Sequence, residues 1–244
     1  MSPVSAVMRR ELRSYFVTPV AYLFLLMFLV VSSILTFYVG DFYEREQADL
    51  QPFFAMHPWL YLILVPAITM GMWAQEANGG TLELLLTLPL TLWQAVIGKF
   101  LAAWLFMGLA LALTFPIWIT VNYLGSPDNA VIVASYLGSW LMAGTFVAIG
   151  ECMSALTRSQ VVAFILTALV CAVLILVGEP QIVDFFHDTL PRKLINAVAH
   201  LSMLRHFEAI ARGVLDVRDV LYFVLSTLGW LFAAALLLDL KRTR

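Results

Sequence analysis

The sequence predicts an all-α membrane protein with six transmembrane helices. Hydrophobic residues make up 62% of its 244 residues and charged residues only 12%, whereas a typical soluble domain has about 45–50% and about 25%. The apolar residues form continuous runs, not the segments of about ten alternating residues that a membrane β-barrel requires. The composition therefore excludes a soluble globular enzyme and a disordered or fibrous chain, and the net charge of −2 indicates no particular partner.

Six apolar runs are long enough to cross the hydrocarbon core of a bilayer, which needs about 20 residues in a helix. Pro66 and Pro116 lie inside two of these runs, so we expect a kink at each. Together the runs predict one transmembrane domain over residues 1–244. The predicted spans are residues 19–40, 58–73, 95–124, 130–153, 161–178 and 220–238.

Residues 1–17 predict an amphipathic helix ahead of the first span, since apolar residues recur there every three or four positions. Such a helix lies in the membrane interface with its arginines toward anionic headgroups. The alternative is a frayed tail. A cleaved signal peptide is disfavoured, because the apolar run is long enough to span and no small-residue cleavage site follows it. The apolar positions are Val4, Val7, Met8, Leu12 and Tyr15.

Basic residues at the ends of the spans predict that both termini are cytoplasmic. The totals on the two sides of the membrane hardly differ, so the residues that flank the first and last spans decide the orientation. An even number of spans places both termini on the same side. The flanking residues are Arg9, Arg10 and Arg13 before the first span, and Lys241, Arg242 and Arg244 after the last.

The connection between the second and third spans predicts a short helix at residues 81–88. A turn at residues 78–80 precedes it, Thr81 can cap it, and Glu83 lies in its first turn, where the helix dipole favours an anion. Pro89 ends it. These leucine-rich residues either dock another protein at the cytoplasmic face or pack beneath the chain's own spans. Thr91 and Gln94 then form a capping box for the third span.

The connection between the fifth and sixth spans predicts short helices on the outer face, within residues 190–213. One stripe of the second helix is apolar, and another carries a Glu208–Arg212 pair at i,i+4 spacing. Gly213 is a candidate C-cap, and Asp216 can open the last span. The apolar stripe consists of Leu204, Phe207, Ile210 and Ala211.

No motif for catalysis is present. The sequence has no G-x-x-x-x-G-K-[ST] phosphate-binding loop, and no G-x-S-x-G, H-E-x-x-H or C-x-x-C. Charged residues are nearly missing from the span interiors, with Glu151 the closest case, which argues against an ion-coupled carrier. If the protein moves a substrate, we expect another subunit to supply the energy.

Metal binding is also disfavoured. The histidines fall on the outer side of the predicted topology without a clustered carboxylate or cysteine, and the scattered methionines are typical of apolar packing. Cys152 and Cys171 are expected to be buried thiols, because both lie in apolar runs. The four histidines are His57, His187, His200 and His206.

Two motifs resemble those of ABC type-2 permeases. Residues 76–89, followed by Lys99, are similar to the pattern E-x-x-x-G-T-x-E-x-L-L-x-x-P…K. Residues 204–223 are similar to the R-H-F-x-x-x-x-x-G…D-x-x-Y-F signature of the branch related to the gliding-motility permease GldF. The resemblance covers essentially the whole chain. One departure is mild: Ala77-Asn78 stands where many relatives carry basic residues.

The resemblance implies a permease subunit that works as two membrane subunits with two cytoplasmic ATPase subunits. Residues 1–17 would form the elbow helix and residues 81–88 the coupling helix, and the outer helices would cap the pathway. ATP and Mg²⁺ would bind to the ATPase, with no cofactor in this chain. The docking residues implied are Glu76, Gly80, Thr81, Leu82, Glu83, Leu84, Leu85, Leu86 and Pro89, and the outer-helix residues are Arg205, His206, Phe207, Glu208, Arg212 and Gly213.

The implied location is the bacterial cytoplasmic (inner) membrane, in a lipid bilayer and without a nucleic-acid partner, with an outer-side accessory protein as a further expected partner. A non-transporting scaffold of a motility or envelope-assembly complex is the alternative function. An integral membrane enzyme or ion-coupled carrier is the third, and the missing catalytic and midplane groups disfavour it.

Overall fold

The protein is all-helical, as the sequence predicts. The computed structural model describes residues 2–40, 42, 47–80, 91–177 and 201–242, and the regular structure within these ranges is helical. The helices are α1 (Pro3–Val17), α2 (Pro19–Ile34, continued by a π-helix at Leu35–Val39), α3 (Gln51–Ala55), α4 (His57–Thr69), α5 (Ala74–Asn78), α6 (Leu92–Ala112), α7 (Phe115–Leu124), α8 (Asn129–Leu156), α9 (Gln160–Leu176), α10 (Met203–Ala211) and α11 (Val217–Arg242).

Five helical segments in the described part of the chain are long and apolar enough to cross a membrane. A sixth apolar helix, α9, has 17 residues and is therefore about 25 Å long, slightly less than the usual hydrocarbon thickness. The six-span count remains a prediction. The five segments are Ala21–Val39, His57–Asn78, Leu92–Leu124, Asn129–Leu156 and Val217–Lys241.

Proline residues shape two of these segments. The third segment is divided at Leu113–Thr114, and α7 begins one residue before Pro116, which lies in its first turn. The Thr114 hydroxyl donates to the carbonyl of Leu111 at 2.6 Å across this break. Pro66 lies inside α4, which ends at Thr69, and the chain then turns before α5 begins. The kink expected at Pro116 is therefore confirmed as a break in the helix.

The helix α8 is the centre of the bundle. It packs against α4, α6, α9, α10 and α11, and most of its residues are buried. Large apolar side chains on the helices at the periphery of the bundle are exposed, as expected for surfaces that face lipid. Cys152 and Cys171 are buried free thiols, which confirms that prediction.

The amphipathic helix α1 packs along α6. Ser2 caps its N-terminus, Pro3 occupies its first turn, and Val7 is buried. A Cβ atom on Gly98 of α6 would lie 2.7 Å from the Val7 side chain, so the glycine permits this close approach. We call the end of the bundle that holds α1 the elbow end, and the end that holds α10 the opposite end.

Some predicted features lie outside the described residues. They are the short helix at 81–88 with Thr81, Leu82, Glu83, Leu84, Leu85 and Leu86, then Pro89, the outer helix expected within 190–199, and His187 and His200.

Candidate functional site

A buried ionic cluster lies at the elbow end, centred on Lys99. Its members, which we call the Lys99 cluster, are Glu11, Trp73, Glu76, Lys99 and Glu151. The Lys99 side chain is only 3% exposed although it belongs to a predicted span. Glu151, the closest case of a charged residue inside a predicted span, is buried. Lys99 is also buried inside a span, and there the prediction that such charges are nearly missing is wrong.

The ammonium group of Lys99 is surrounded by acceptors. It donates to the Met72 carbonyl at 2.8 Å and to Glu76 Oε1 at 2.9 Å, and Glu11 Oε1 lies at 3.4 Å. An ammonium has three N–H donors, and these three oxygens match them. A buried charge is tolerated only when it is paired in this way. Lys99 therefore connects α6 to α1 and to the end of the second span.

Trp73 extends the cluster to α8. Its ring faces the Lys99 ammonium at 4.8 Å, a cation–π contact. Its indole N–H donates to Glu151 Oε1 at 3.0 Å. Glu151 is fully buried on α8, and its other oxygen has no hydrogen-bond partner among the described residues. The indole thus lies between a cation of the third span and a carboxylate of the fourth.

Ser154 joins α8 to the end of the second span. Its hydroxyl accepts hydrogen bonds from the backbone N–H groups of Trp73 and Ala74, each at 3.0 Å, and donates to the Met70 carbonyl at 2.9 Å. These groups lie where the second span turns into α5. The break in the span is therefore fixed to α8, and α5 carries Glu76 in a defined position toward Lys99.

Two side chains of α1 border the cluster. Arg10 pairs with Glu11 at 2.6 Å and lies 3.9 Å from Glu76. Burial, and then the negative charges of Glu11 and Glu151, raise the pKa of Tyr15 well above its ordinary value. The phenol of Tyr15 stays protonated, so it adds no further negative charge beside the carboxylates.

The connection predicted to dock another protein begins and ends beside this cluster. Glu76 is about four-fifths buried and pairs with Lys99, so its carboxylate faces the bundle. Gly80 has a φ of 69° and open space around it, which suits a left-handed turn. At the other side of the connection, the Thr91–Gln94 capping box is confirmed by both of its hydrogen bonds. The docking role of these residues stays a prediction.

The residues predicted for the outer helix come together in α10 at the opposite end. Phe207 is buried, whereas Glu208 and Arg212 are exposed and form the expected pair at 3.2 Å. Arg205 is exposed beside them. Gly213 follows the helix with a φ of 85°, the left-handed conformation expected after a helix C-cap.

A hydrogen-bonded pair ties α10 to the last span. His206 Nδ1 lies 2.6 Å from Asp219 Oδ1, and the His206 ring stacks on Tyr222 at 4.1 Å between centroids. The Tyr222 hydroxyl donates to the Leu201 carbonyl. Asp216 accepts from the N–H of Arg218 at 3.0 Å, which confirms its predicted place at the start of α11. His206 is therefore a partnered residue of the helix junction.

His57 lies inside the bundle and not at the membrane surface. It is fully buried among aromatic rings, and its Nδ1 lies 2.8 Å from the Ser139 hydroxyl. Its Nε2 has no hydrogen-bond partner within the part of the chain that the structure describes. In the described part of the chain, no group of three or more His, Cys, Asp or Glu side chains could hold a metal ion.

Sequence reasoning missed most of the Lys99 cluster. Glu11, Trp73 and Ser154 belong to no motif, and Lys99 stands out in the sequence only as part of a family pattern. One signal was available. A lysine inside an apolar run requires a buried acceptor, and Glu76, in the same family pattern as Lys99, is that acceptor.

The comparisons with known proteins identify the family. Residues 52–238 match the family model described as ABC-2 family transporter protein, and this match covers more than half of the chain. It includes the second to sixth predicted spans and both ends of the bundle. No curated protein matches the chain. The chain belongs to the ABC-2 family of transporter proteins.

Proposed function

We propose that the chain is a permease subunit that converts ATP hydrolysis by separate ATPase subunits into movement of its spans. Membership of the ABC-2 family supports a membrane subunit that is not itself the ATPase. In this proposal two copies of the chain assemble with two ATPase subunits, which bind ATP and Mg²⁺. The same complex exports a substrate or performs mechanical work.

The Lys99 cluster is the observation that carries this proposal. It lies where the connection between the second and third spans joins the bundle, and both sides of that connection are anchored. Glu76 anchors one side through Lys99, and the Thr91 capping box fixes the other side to α6. A force applied to the connection is therefore passed to α1 through Glu11 and to α8 through Trp73 and Glu151.

In this proposal residues 81–88 form the coupling helix. Its leucines seat in a groove of the ATPase, Glu83 pairs with a basic group there, and Pro89 ends the helix. Gly80 supplies the turn that leads into it. Glu76 acts through Lys99, because its carboxylate faces the bundle.

We further propose that the elbow end is cytoplasmic and that the protein lies in a bacterial inner membrane. The opposite end, with α10, then faces outward, where an accessory protein binds. The R-H-F segment at Arg205–Phe207, with Gly213 and the Asp219–Phe223 segment, supports assignment to the GldF-like branch.

Co-purification tests the docking element. We expect Glu83→Lys and Leu85→Asp each to lose the P-loop ATPase that accompanies the wild-type chain, because one reverses a charge at the contact and the other buries a carboxylate. Glu208→Lys is the matched control, since Glu208 is exposed at the opposite end. All variants are compared at equal amounts in the membrane. Wild-type recovery of the ATPase with both docking variants would show that this helix is not the docking element.

A further inference from the structure

A cavity of about 660 Å³ opens at the elbow end, between α1, the end of the second span and the start of α9. Its volume falls within the range of about 300–1,000 Å³ that small-molecule sites occupy. One part of its lining is apolar and comes from the second span, with Ala67, Ile68 and Met70. The other part is polar and includes both signs of charge.

The polar part combines four charged groups in two oppositely charged pairs. Arg10 pairs with Glu11, and Lys99 pairs with Glu76, so the lining is neutral as a whole. Arg10 is half exposed and about a fifth of the Glu11 side chain is exposed, so these two groups remain open to a ligand. Glu76 Oε2 is buried and Glu76 Oε1 pairs with Lys99. Lys99 is buried behind the carboxylates and holds them in place.

The position of the cavity indicates the class of ligand. The amphipathic α1 directly precedes the first span, which places it at the depth of the lipid headgroups. A cavity at that depth with one apolar and one polar wall matches a glycerophospholipid, whose acyl chains and headgroup have the same two characters. The polar side chains of Ser14 and Gln160 add hydrogen-bonding groups to the polar wall.

We propose that this cavity binds a zwitterionic phospholipid with a primary ammonium, the chemistry of phosphatidylethanolamine. The guanidinium of Arg10 turns from Glu11 to the phosphate, and the Glu11 carboxylate accepts hydrogen bonds from the ammonium in its place. A quaternary ammonium, as in phosphatidylcholine, has no N–H to donate. A headgroup with only negative charge draws Arg10 away from Glu11 and supplies no cation in its place.

The test measures lipid binding to the purified full-length protein in detergent, by native mass spectrometry with added lipids of matched acyl chains. The expected result is that phosphatidylethanolamine binds at least about tenfold more tightly than phosphatidylcholine or phosphatidylglycerol, the factor expected from charge-assisted hydrogen bonds. Equal binding of the three lipids, or preference for phosphatidylglycerol, would overturn the proposal.

Neighbouring arginines supply a matched control. Arg10 lines the cavity and Arg9, also exposed on α1, does not. Arg10→Gln is expected to weaken phosphatidylethanolamine binding about tenfold, and Arg9→Gln to leave it unchanged. Equal weakening by both would show general attraction between α1 and lipid. Ser14→Trp fills the cavity without removing a charge, and undiminished binding to this variant would also contradict the proposal.

Discussion

Lys99 carries its charge within the first two turns of a helix that is otherwise almost entirely apolar. Its ammonium is stable there because a carbonyl and two carboxylates surround it. The arrangement is costly to break, since loss of the cation leaves Glu11 and Glu76 close together and largely buried. At the scale of single residues, the packing of this region therefore depends on one charge and its partners.

Substitution of Lys99 is expected to destabilise the protein strongly. We expect Lys99→Met to lower the free energy of unfolding by about 3 kcal/mol, because Glu11 and Glu76 lose their buried cation and keep only the half-exposed Arg10 beside them. Thermal unfolding in detergent measures the effect. Lys241→Met is the matched control. Lys241 donates to the carbonyls of Ala155 and Leu156 at the end of α8, and its loss should cost about 1 kcal/mol. Equal losses for the two variants would contradict the central role of Lys99.

A double-mutant cycle tests the pairing itself. Addition of Glu76→Gln to Lys99→Met is expected to recover part of the lost stability, with a coupling of about 0.5–3 kcal/mol, since the second change removes an unpaired charge. Strictly additive losses would mean that the Lys99–Glu76 contact carries no energy.

The polar groups of His57, unlike the charge of Lys99, are expected to contribute little to stability. His57→Phe is expected to change the free energy of unfolding by no more than about 1 kcal/mol, because the ring stays packed and Nε2 already lacks a partner. His57→Ala opens a cavity among Phe53, Phe54 and Tyr61 and should cost about 3 kcal/mol. The two unfolding temperatures separate these effects. An equal cost for both variants would show that the ring nitrogens stabilise the bundle.

At the scale of helices, α6 and α8 each carry a tryptophan followed four residues later by a glycine, and these residues pack against each other. Trp104 and Trp140 stack at 4.2 Å between ring centroids, and each indole N–H donates to the other residue's carbonyl, at 2.8 and 3.2 Å. Each ring also lies against a glycine of the facing helix, Gly144 for Trp104 and Gly108 for Trp140. The third and fourth spans are therefore held at a short separation over about one turn of each helix.

Enlargement of either glycine is expected to separate these helices. A Cβ on Gly108 would lie 2.9 Å from Trp140 Nε1, so we expect Gly108→Leu to cost about 1–3 kcal/mol through overpacking. Gly229→Leu on α11 is the control, because nothing lies within 4 Å of its Cβ position. Unfolding temperature and the near-ultraviolet circular dichroism of tryptophan measure the effect. An unchanged tryptophan signal in Gly108→Leu would contradict the predicted separation.

Two adjacent residues of α10 are expected to differ sharply in how much their substitution costs in stability. Phe207 is buried against the bundle, so Phe207→Ala should cost about 3–5 kcal/mol. Glu208→Ala removes only an exposed pair with Arg212 and should cost about 0.2–0.5 kcal/mol. Limited proteolysis in intact vesicles measures the release of this helix. Rapid cleavage within residues 203–211 of the wild-type protein would contradict the packed arrangement.

Local features of the fold were predictable, and long-range ones were not. The Thr91–Gln94 capping box and the Glu208–Arg212 pair join residues three or four positions apart, so spacing alone identifies them. Lys99 and Glu76 are 23 positions apart, and Trp73 and Glu151 are 78 apart. Spacing carries no information about such contacts, because they depend on which helices become neighbours.

At the scale of the whole molecule, α8 forms the centre, and the Lys99 cluster and α10 lie at its two ends. In the proposed mechanism, a displacement of the connection between the second and third spans acts on a bundle whose spans the Lys99 cluster joins at the elbow end. The sequence contains no G-x-x-x-x-G-K-[ST] motif, and the proposed function assigns the energy for this displacement to a separate ATPase subunit. The proposed mechanism predicts a complex in which one chain hydrolyses ATP and the spans of another chain move.

ATP turnover by the purified protein, alone and in the complex isolated with it, tests this division of labour most directly. The proposed function predicts no turnover by the chain alone, and turnover by a complex that contains a P-loop ATPase in equal amount. Turnover by the chain free of contaminants, or isolation of the intact chain from its native membrane with no P-loop protein bound, would contradict it.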